Sequence, residues 1–197
     1  MTFACVDVGP LYGPEYVKRL WSGLKRHSSC RDIICFTDHP DEFVGFGPGF
    51  TAYDISAFMA IPPPPSGVPA RWGCINLFAP IDGVDRLLYT DLDNVIIDDI
   101  DPLIGYAKDK PLVTIREWGA AWTTMAAGVM AIECNTALTE AIWNDYATHG
   151  PAYNEYLFQG FCQRSLERHG LFDQGEFWRS AFRNPLARYT ADGFAYR

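Results

Sequence analysis

No stretch of this chain stays apolar long enough to cross a membrane, and its opening residues Met1-Thr2-Phe3-Ala4-Cys5-Val6-Asp7 contain no basic leader. A soluble, unprocessed, cytoplasmic protein is therefore expected. Basic charge is scarce as well: 16 Lys and Arg face 24 Asp and Glu, a net charge of -8. Neutralising the phosphates of a nucleic acid needs the opposite surplus, which argues against DNA or RNA as a partner. There are 4 histidines, none beyond His169, and the 6 cysteines keep none of the spacings of a zinc site. Cysteines scattered through apolar runs behave as small buried hydrophobes of a reduced intracellular protein, and a Cys30–Cys35 pair is left open. Internal repeats are absent, and the one biased tract is the proline-rich connection at 61–69.

Apolar bulk is abundant. Hydrophobic residues make up 48% and aromatics 15% of the 197 residues, enough to bury a sizeable core in one domain. Residues 3–8 predict a buried strand, Gly9 to Gly13 a turn, and Pro14 the first position of a helix, where its missing N–H costs nothing. Val17, Leu20, Trp21 and Leu24 form one face of that helix; Lys18, Arg19, Lys25 and Arg26 form the solvated one. A second strand at 32–36 completes a strand–helix–strand unit, the pattern of parallel pairing in an α/β fold. Further strands are expected at 51–55, 86–90, 111–115 and 125–132, and a short helix at 71–78. A helix capped by Asp101, with Pro102 at its first position, should follow the fourth strand. Asn135 or Thr136 should cap another, and 153–169 should form the last. The tail after Leu171 shows no clear period.

The most informative stretch runs from Leu87 to Leu103. An apolar strand ends in Asp91-Leu92-Asp93, and a second apolar run leads to Asp98, Asp99 and Asp101. Alternation along an extended chain would send Asp91 and Asp93 to the same side. Two carboxylates converging at a strand's carboxyl end concentrate like charge. A hard cation such as Mg²⁺ or Mn²⁺ removes that cost, and such a cation commonly carries substrate phosphate. Asp98, Asp99 and Asp101 suit a turn and a helix start better than ligation.

This segment resembles the Asp-x-Asp region of glycosyltransferases with the GT-A fold, especially the glycogenin and bacterial galactosyltransferase types. Four further segments resemble parts of those enzymes in the same order, across residues 3–133. They are Tyr12-Gly13-Pro14-Glu15-Tyr16-Val17, Cys35-Phe36-Thr37-Asp38, Arg71-Trp72-Gly73-Cys74-Ile75-Asn76-Leu77-Phe78 and Ala126-Ala127-Gly128-Val129-Met130. The resemblance implies a single GT-A-like α/β domain over 1–197, with a mostly parallel central sheet flanked by helices. Residues 1–100 would form its nucleotide-binding half and 101–197 its acceptor and sugar half. It also implies a metal-dependent hexosyltransferase. Such an enzyme moves a sugar from a UDP- or GDP-sugar to a carbohydrate, glycolipid or glycoprotein acceptor. Val6, Asp7, Tyr12 and Asp38 would hold base and ribose, and Arg71 would lie near the sugar or diphosphate. Leu92 and Gly128 would belong to the donor site. Asp91 and Asp93 would bind the ribose and the Mn²⁺ or Mg²⁺ that bridges the diphosphate. Asn154, Glu155 and Gln159 would face the sugar as the catalytic set.

Three positions depart from the family pattern: Cys74 replaces a Lys, Ala126 replaces an Asn, and no His follows His169. They sustain an alternative, a catalytically degenerate domain that binds a nucleotide sugar. Asp91-Leu92-Asp93-Asn94-Val95 also matches the opening of haloacid-dehalogenase-type phosphatases, in which the first Asp is the nucleophile. That motif normally begins a domain, whereas here an α/β unit precedes it, and Lys108 and Lys110 stand too close to serve. Structural roles compete at other positions. Asp38 could start a turn before Pro40, and Arg71 could form a surface salt bridge. Trp118 and Trp122 could stack on an acceptor or cover the core, and His149 and His169 suit helix ends.

Overall fold

The structure of the protein, a computed structural model, describes residues 1–59, 72–116, 125–149, 158–178, 187–190 and 193–196. Its strands are β1 (Thr2–Asp7), β2 (Ile33–Thr37), β3 (Phe50–Asp54), β4 (Arg86–Thr90), β5 (Leu112–Arg116), β6 (Met125–Glu133) and β7 (Gly175–Trp178). They form one sheet in the order β3-β2-β1-β4-β6-β5-β7. β6 runs antiparallel to both its neighbours, and the other pairings are parallel.

Alternation along the strands divides the core into two clusters, one on each face. Phe3, Cys5, Ile33, Cys35 and Leu88 pack on Val17, Leu20, Trp21 and Leu24 of α1 (Pro14–His27). Ala4, Ile34, Phe36, Leu87 and Tyr89 belong to the other cluster, with Leu138, Ile142 and Tyr146 of a helix at Ala137–His149. Phe161, Cys162 and Leu166 of a second helix, Phe158–Arg168, complete that face. Covering both faces is what lets the strands carry near-continuous apolar runs. The two helices are tied by Asp145, which holds Arg168 and His169 at 3.1 Å each. His169 thus takes the structural role open to it.

Several local expectations change. The stretch expected as a helix at 71–78 holds a 3-10 helix over Gly73–Phe78. Asp101 does not cap its own helix, Asp101–Ala107; its carboxylate accepts from Ser28 Oγ (3.0 Å) and Ser29 N (2.7 Å) instead. It therefore pins the start of that helix to the end of α1. Between Asn135 and Thr136, the cap is Thr136, which exchanges hydrogen bonds with Thr139 in both directions (3.4 and 2.9 Å). Asn135, at φ 56, pairs its amide with the N–H and C=O of Ile81. Cys30 and Cys35 are both free. The tail without a period supplies β7, parallel to β5, and an antiparallel pair at Ala187–Thr190 and Gly193–Tyr196. β7 finds its partner far away in sequence, so no local pattern announces it.

Arg86, at the start of β4, is buried and donates to the carbonyls of Ala107 (2.9 Å) and Lys110, with Glu133 at 3.3 Å. Arg86→Met should destabilise the protein by roughly 1–3 kcal/mol, because the carbonyls of Ala107 and Lys110 would lose the charged donor that joins them to β4. Urea unfolding of the two forms measures this; equal midpoints would refute it.

Candidate functional site

β1, β2 and β4 are adjacent and parallel, so their carboxyl ends open on one side of the sheet. Asp7 is level with Thr37 of β2, and Ala4 with Tyr89 of β4. The chain runs outward from β1 through β2 and β3 on one side and reaches β4 on the other. The crevice outside the strand ends at such a switch in order is where open α/β sheets bind ligands. Asp7, Asp38, Asp91 and Asp93 all emerge at this end.

Asp7 ends β1 at 2% exposure, and among the described residues its Oδ1 has no hydrogen-bond partner. Burial, resisted by the charge of His39 and helped by Glu42 and Asp38, pushes its carboxyl up to about 6. A buried acceptor without a donor is costly and suggests a ligand. Beside it, Asp38 accepts from the N–H of Gly9 (3.1 Å) and pairs with His39 (3.1 Å). Gly9 sits at φ +68, a conformation other residues rarely take, so the turn that aims its N–H at Asp38 favours glycine. Asp38 thus has a structural task in joining the ends of β1 and β2.

Asp91 and Asp93 do not continue an extended strand, as alternation suggested. β4 stops at Thr90, and Asn94 N donates to the carbonyl of Asp91 (3.2 Å), closing a four-residue turn. Leu92 points into the core at 5% exposure, so its backbone is what could face a ligand. Asp93 is exposed and Asp91 half-buried. The phenol of Tyr12 is raised in pKa by burial and then by Asp93 and Asp91, so both charges act on the loop before α1. Val6 is half-buried against the opposite cluster.

The turn is anchored by a register break in β6. Thr114 pairs with Met130 but Ile115 pairs with Ala126, so the three residues around Gly128 bulge from the β5 ladder. The carbonyl of Gly128 accepts from Asp91 N (3.1 Å), Thr90 Oγ1 (3.2 Å) and Asn94 Nδ2 (3.0 Å). Asn94 also bonds Thr90 Oγ1 at 2.6 Å. A Cβ on Gly128 would lie 3.4 Å from Asp91 Oδ2.

Thr90, Asn94 and His39 were not singled out from the sequence. Their signal is position alone, within a few residues of an acidic strand end. Arg71, Asn154, Glu155, Trp118 and Trp122 lie outside the described residues, as does the side chain of Gln159, whose backbone belongs to the helix Phe158–Arg168.

This sheet order, with its one reversed strand and helices on both faces, is the GT-A fold of nucleotide-diphospho-sugar transferases. The chain is similar to the glycosyltransferase GlyE of Streptococcus pneumoniae TIGR4, with a TM-score of 0.57 and 16% identity over 89% of this chain and 45% of that one. It is also similar to the galactosyltransferase LgtC, solved with donor and acceptor sugar analogues (TM-score 0.56, 15% identity, 92% of this chain and 74% of that one). A third likeness is to the bifunctional glycosyltransferase WbbM (TM-score 0.56, 9% identity, 92% and 39%). At these identities the likeness is one of fold, and the chain spans less than half the length of GlyE. No family model and no curated protein matches the sequence. Among the described residues, no helix is long and apolar enough to cross a membrane.

Proposed function

We propose that this chain is the donor-binding part of a metal-dependent glycosyltransferase, with a UDP- or GDP-sugar held by residues of the nucleotide-binding half, 1–100. One observation carries the reading: carboxylates at the ends of β1 and β4, Asp7 and the Asp91/Asp93 pair, flank the switch point of a GT-A sheet. The unpartnered Oδ1 of Asp7 is an acceptor for a base that carries a ring N–H. Uracil and guanine carry one; cytosine and adenine do not.

Asp91 and Asp93 are the residues that would hold Mn²⁺ or Mg²⁺. Among the described residues, no set of three or more His, Cys, Asp or Glu gathers as ligands. Two carboxylates nonetheless fit a hard cation that takes its remaining oxygens from substrate phosphate and water. When bound, the cation would neutralise charge developing on the departing nucleoside diphosphate. The chain's own part is to orient: Asp7 the base, Tyr12 and Asp38 the loops around it, and Gly128 the acidic turn. Asn154, Glu155 and Gln159 remain the proposed catalytic set facing the sugar, with a carbohydrate, glycolipid or glycoprotein as acceptor.

A non-catalytic sugar-nucleotide binder is favoured by one feature. Cys74 stands where the family carries a Lys, and burial pushes its thiol up to about 12, so it brings no charge to the site. Thermal shift with a panel of nucleoside-diphosphate sugars and Mn²⁺ tests the shared reading. Donor at about 100 times its Kd adds about 2.7 kcal/mol, or about 5–11 °C. No shift with any uridine or guanosine donor would refute it, while a shift without Mn²⁺-dependent sugar release would select the binder.

A further inference from the structure

Tyr89 stands two residues before Asp91 on β4 and on the face away from α1. It is 2% exposed, with its ring locked among the residues that pack under the helices Ala137–His149 and Phe158–Arg168. Its hydroxyl donates to Asp91 Oδ1. A phenol has a single proton, so once that proton is given to the carboxylate the oxygen can only accept. Cys74 Sγ, on the 3-10 helix Gly73–Phe78, lies 3.3 Å from that oxygen and is therefore the donor to it. The bonds run in one direction, from Cys74 to Tyr89 to Asp91.

We infer that Tyr89 is a positioning residue for Asp91, with Cys74 behind it, and that the two set the carboxylate in one orientation before a cation arrives. The inference rests on the proposed role of Asp91 as a cation ligand. Two constraints converge on this residue: the main chain of Asp91 is fixed by the carbonyl of Gly128, and Oδ1 is held by Tyr89. A carboxylate that is already oriented need not be ordered when a cation binds, which is how outer partners raise the affinity of a metal site. The arrangement also gives Cys74 a task where the family's Lys is missing: its neutral thiol completes the support of Asp91.

Tyr89→Phe keeps the ring and the core volume while removing the donor. Mn²⁺ binding, followed by the electron paramagnetic resonance of the free ion, should weaken by about 10–100-fold in the variant. Cys74→Ser, which keeps a donor, should stay close to the parent. In metal-free crystals of parent and Tyr89→Phe, the Asp91 carboxylate should hold one rotamer in the first and leave it in the second. Equal Mn²⁺ affinity, or an unmoved Asp91 in the variant, would overturn the inference. A parent that binds no Mn²⁺ would overturn the metal reading instead, and the rotamer comparison would then decide the role of Tyr89 by itself.

Discussion

Asp7→Asn is expected to make the protein more stable and, at the same time, unable to hold the proposed nucleotide. The carboxyl of Asp7 is raised to about 6 chiefly by burial, so above that pH the folded protein holds a charge it disfavours. Ionising a carboxyl raised from its ordinary range to about 6 costs the folded state roughly 2–3 kcal/mol at pH 7, a cost that the neutral amide avoids. That amounts to a rise in Tm of about 4–12 °C. The sign follows from proton binding. Between about pH 4 and 6 the folded state binds more protons than the unfolded, so parental stability falls as pH rises through this window and then levels off. The advantage of Asn should therefore shrink as pH falls from 6 and vanish below about pH 3, where Asp7 is protonated in both states. Uridine and guanosine diphosphate binding should be lost, because the amide presents a weaker and partly donating edge to the base. Calorimetric melts at about pH 3 and 7 with nucleotide titration at the higher pH check both halves. A variant less stable than the parent at pH 7 would mean that Asp7 has an unseen structural partner.

Asp93→Ala should abolish divalent-dependent binding of the nucleoside diphosphate while leaving the fold intact. Asp93 is exposed on a turn whose own bonds, from Asn94 N and to the carbonyl of Gly128, do not use its side chain. Removing it opens no cavity and relieves repulsion with Asp91, so Tm should stay level or rise slightly. Loss of the proposed cation ligand should exceed the roughly 10–100-fold typical of outer partners. Titration of uridine and guanosine diphosphates with Mn²⁺ and with a chelator measures it. Parental affinity in the variant, or parental binding unaffected by the chelator, would place the site elsewhere.

Much of this was legible in the residues because it is local. Apolar runs ending in Asp7, Thr37-Asp38 and Thr90-Asp91 mark strands that deliver polar groups at their carboxyl ends, and Pro14 and Pro102 mark helix starts. The face of α1, with Val17, Leu20, Trp21 and Leu24 buried, follows from a period of 3.6. These features depend on neighbours within a turn or a pleat, and such neighbours are written next to one another.

The parts that were missed depend on residues distant in the chain. Asp101 carries the composition of a cap, yet Ser28 and Ser29 lie within reach once α1 has packed, and their bonds win. The strand Gly175–Trp178 has no period of its own and exists because Leu112–Arg116 offers an open edge. Asp91 and Asp93 are oriented by a turn, not a pleat, because a bulge in β6 places the carbonyl of Gly128 against Asp91, Thr90 and Asn94. The sequence by itself determined the strand and helix faces and the acidic chemistry at the strand ends, through hydrophobic period and local sterics. Tertiary structure alone decided that Oδ1 of Asp7 is buried without a partner among the described residues and that Tyr89 holds Asp91. Both depend on which strands and loops meet, and long-range pairing leaves no mark on the residues that take part in it.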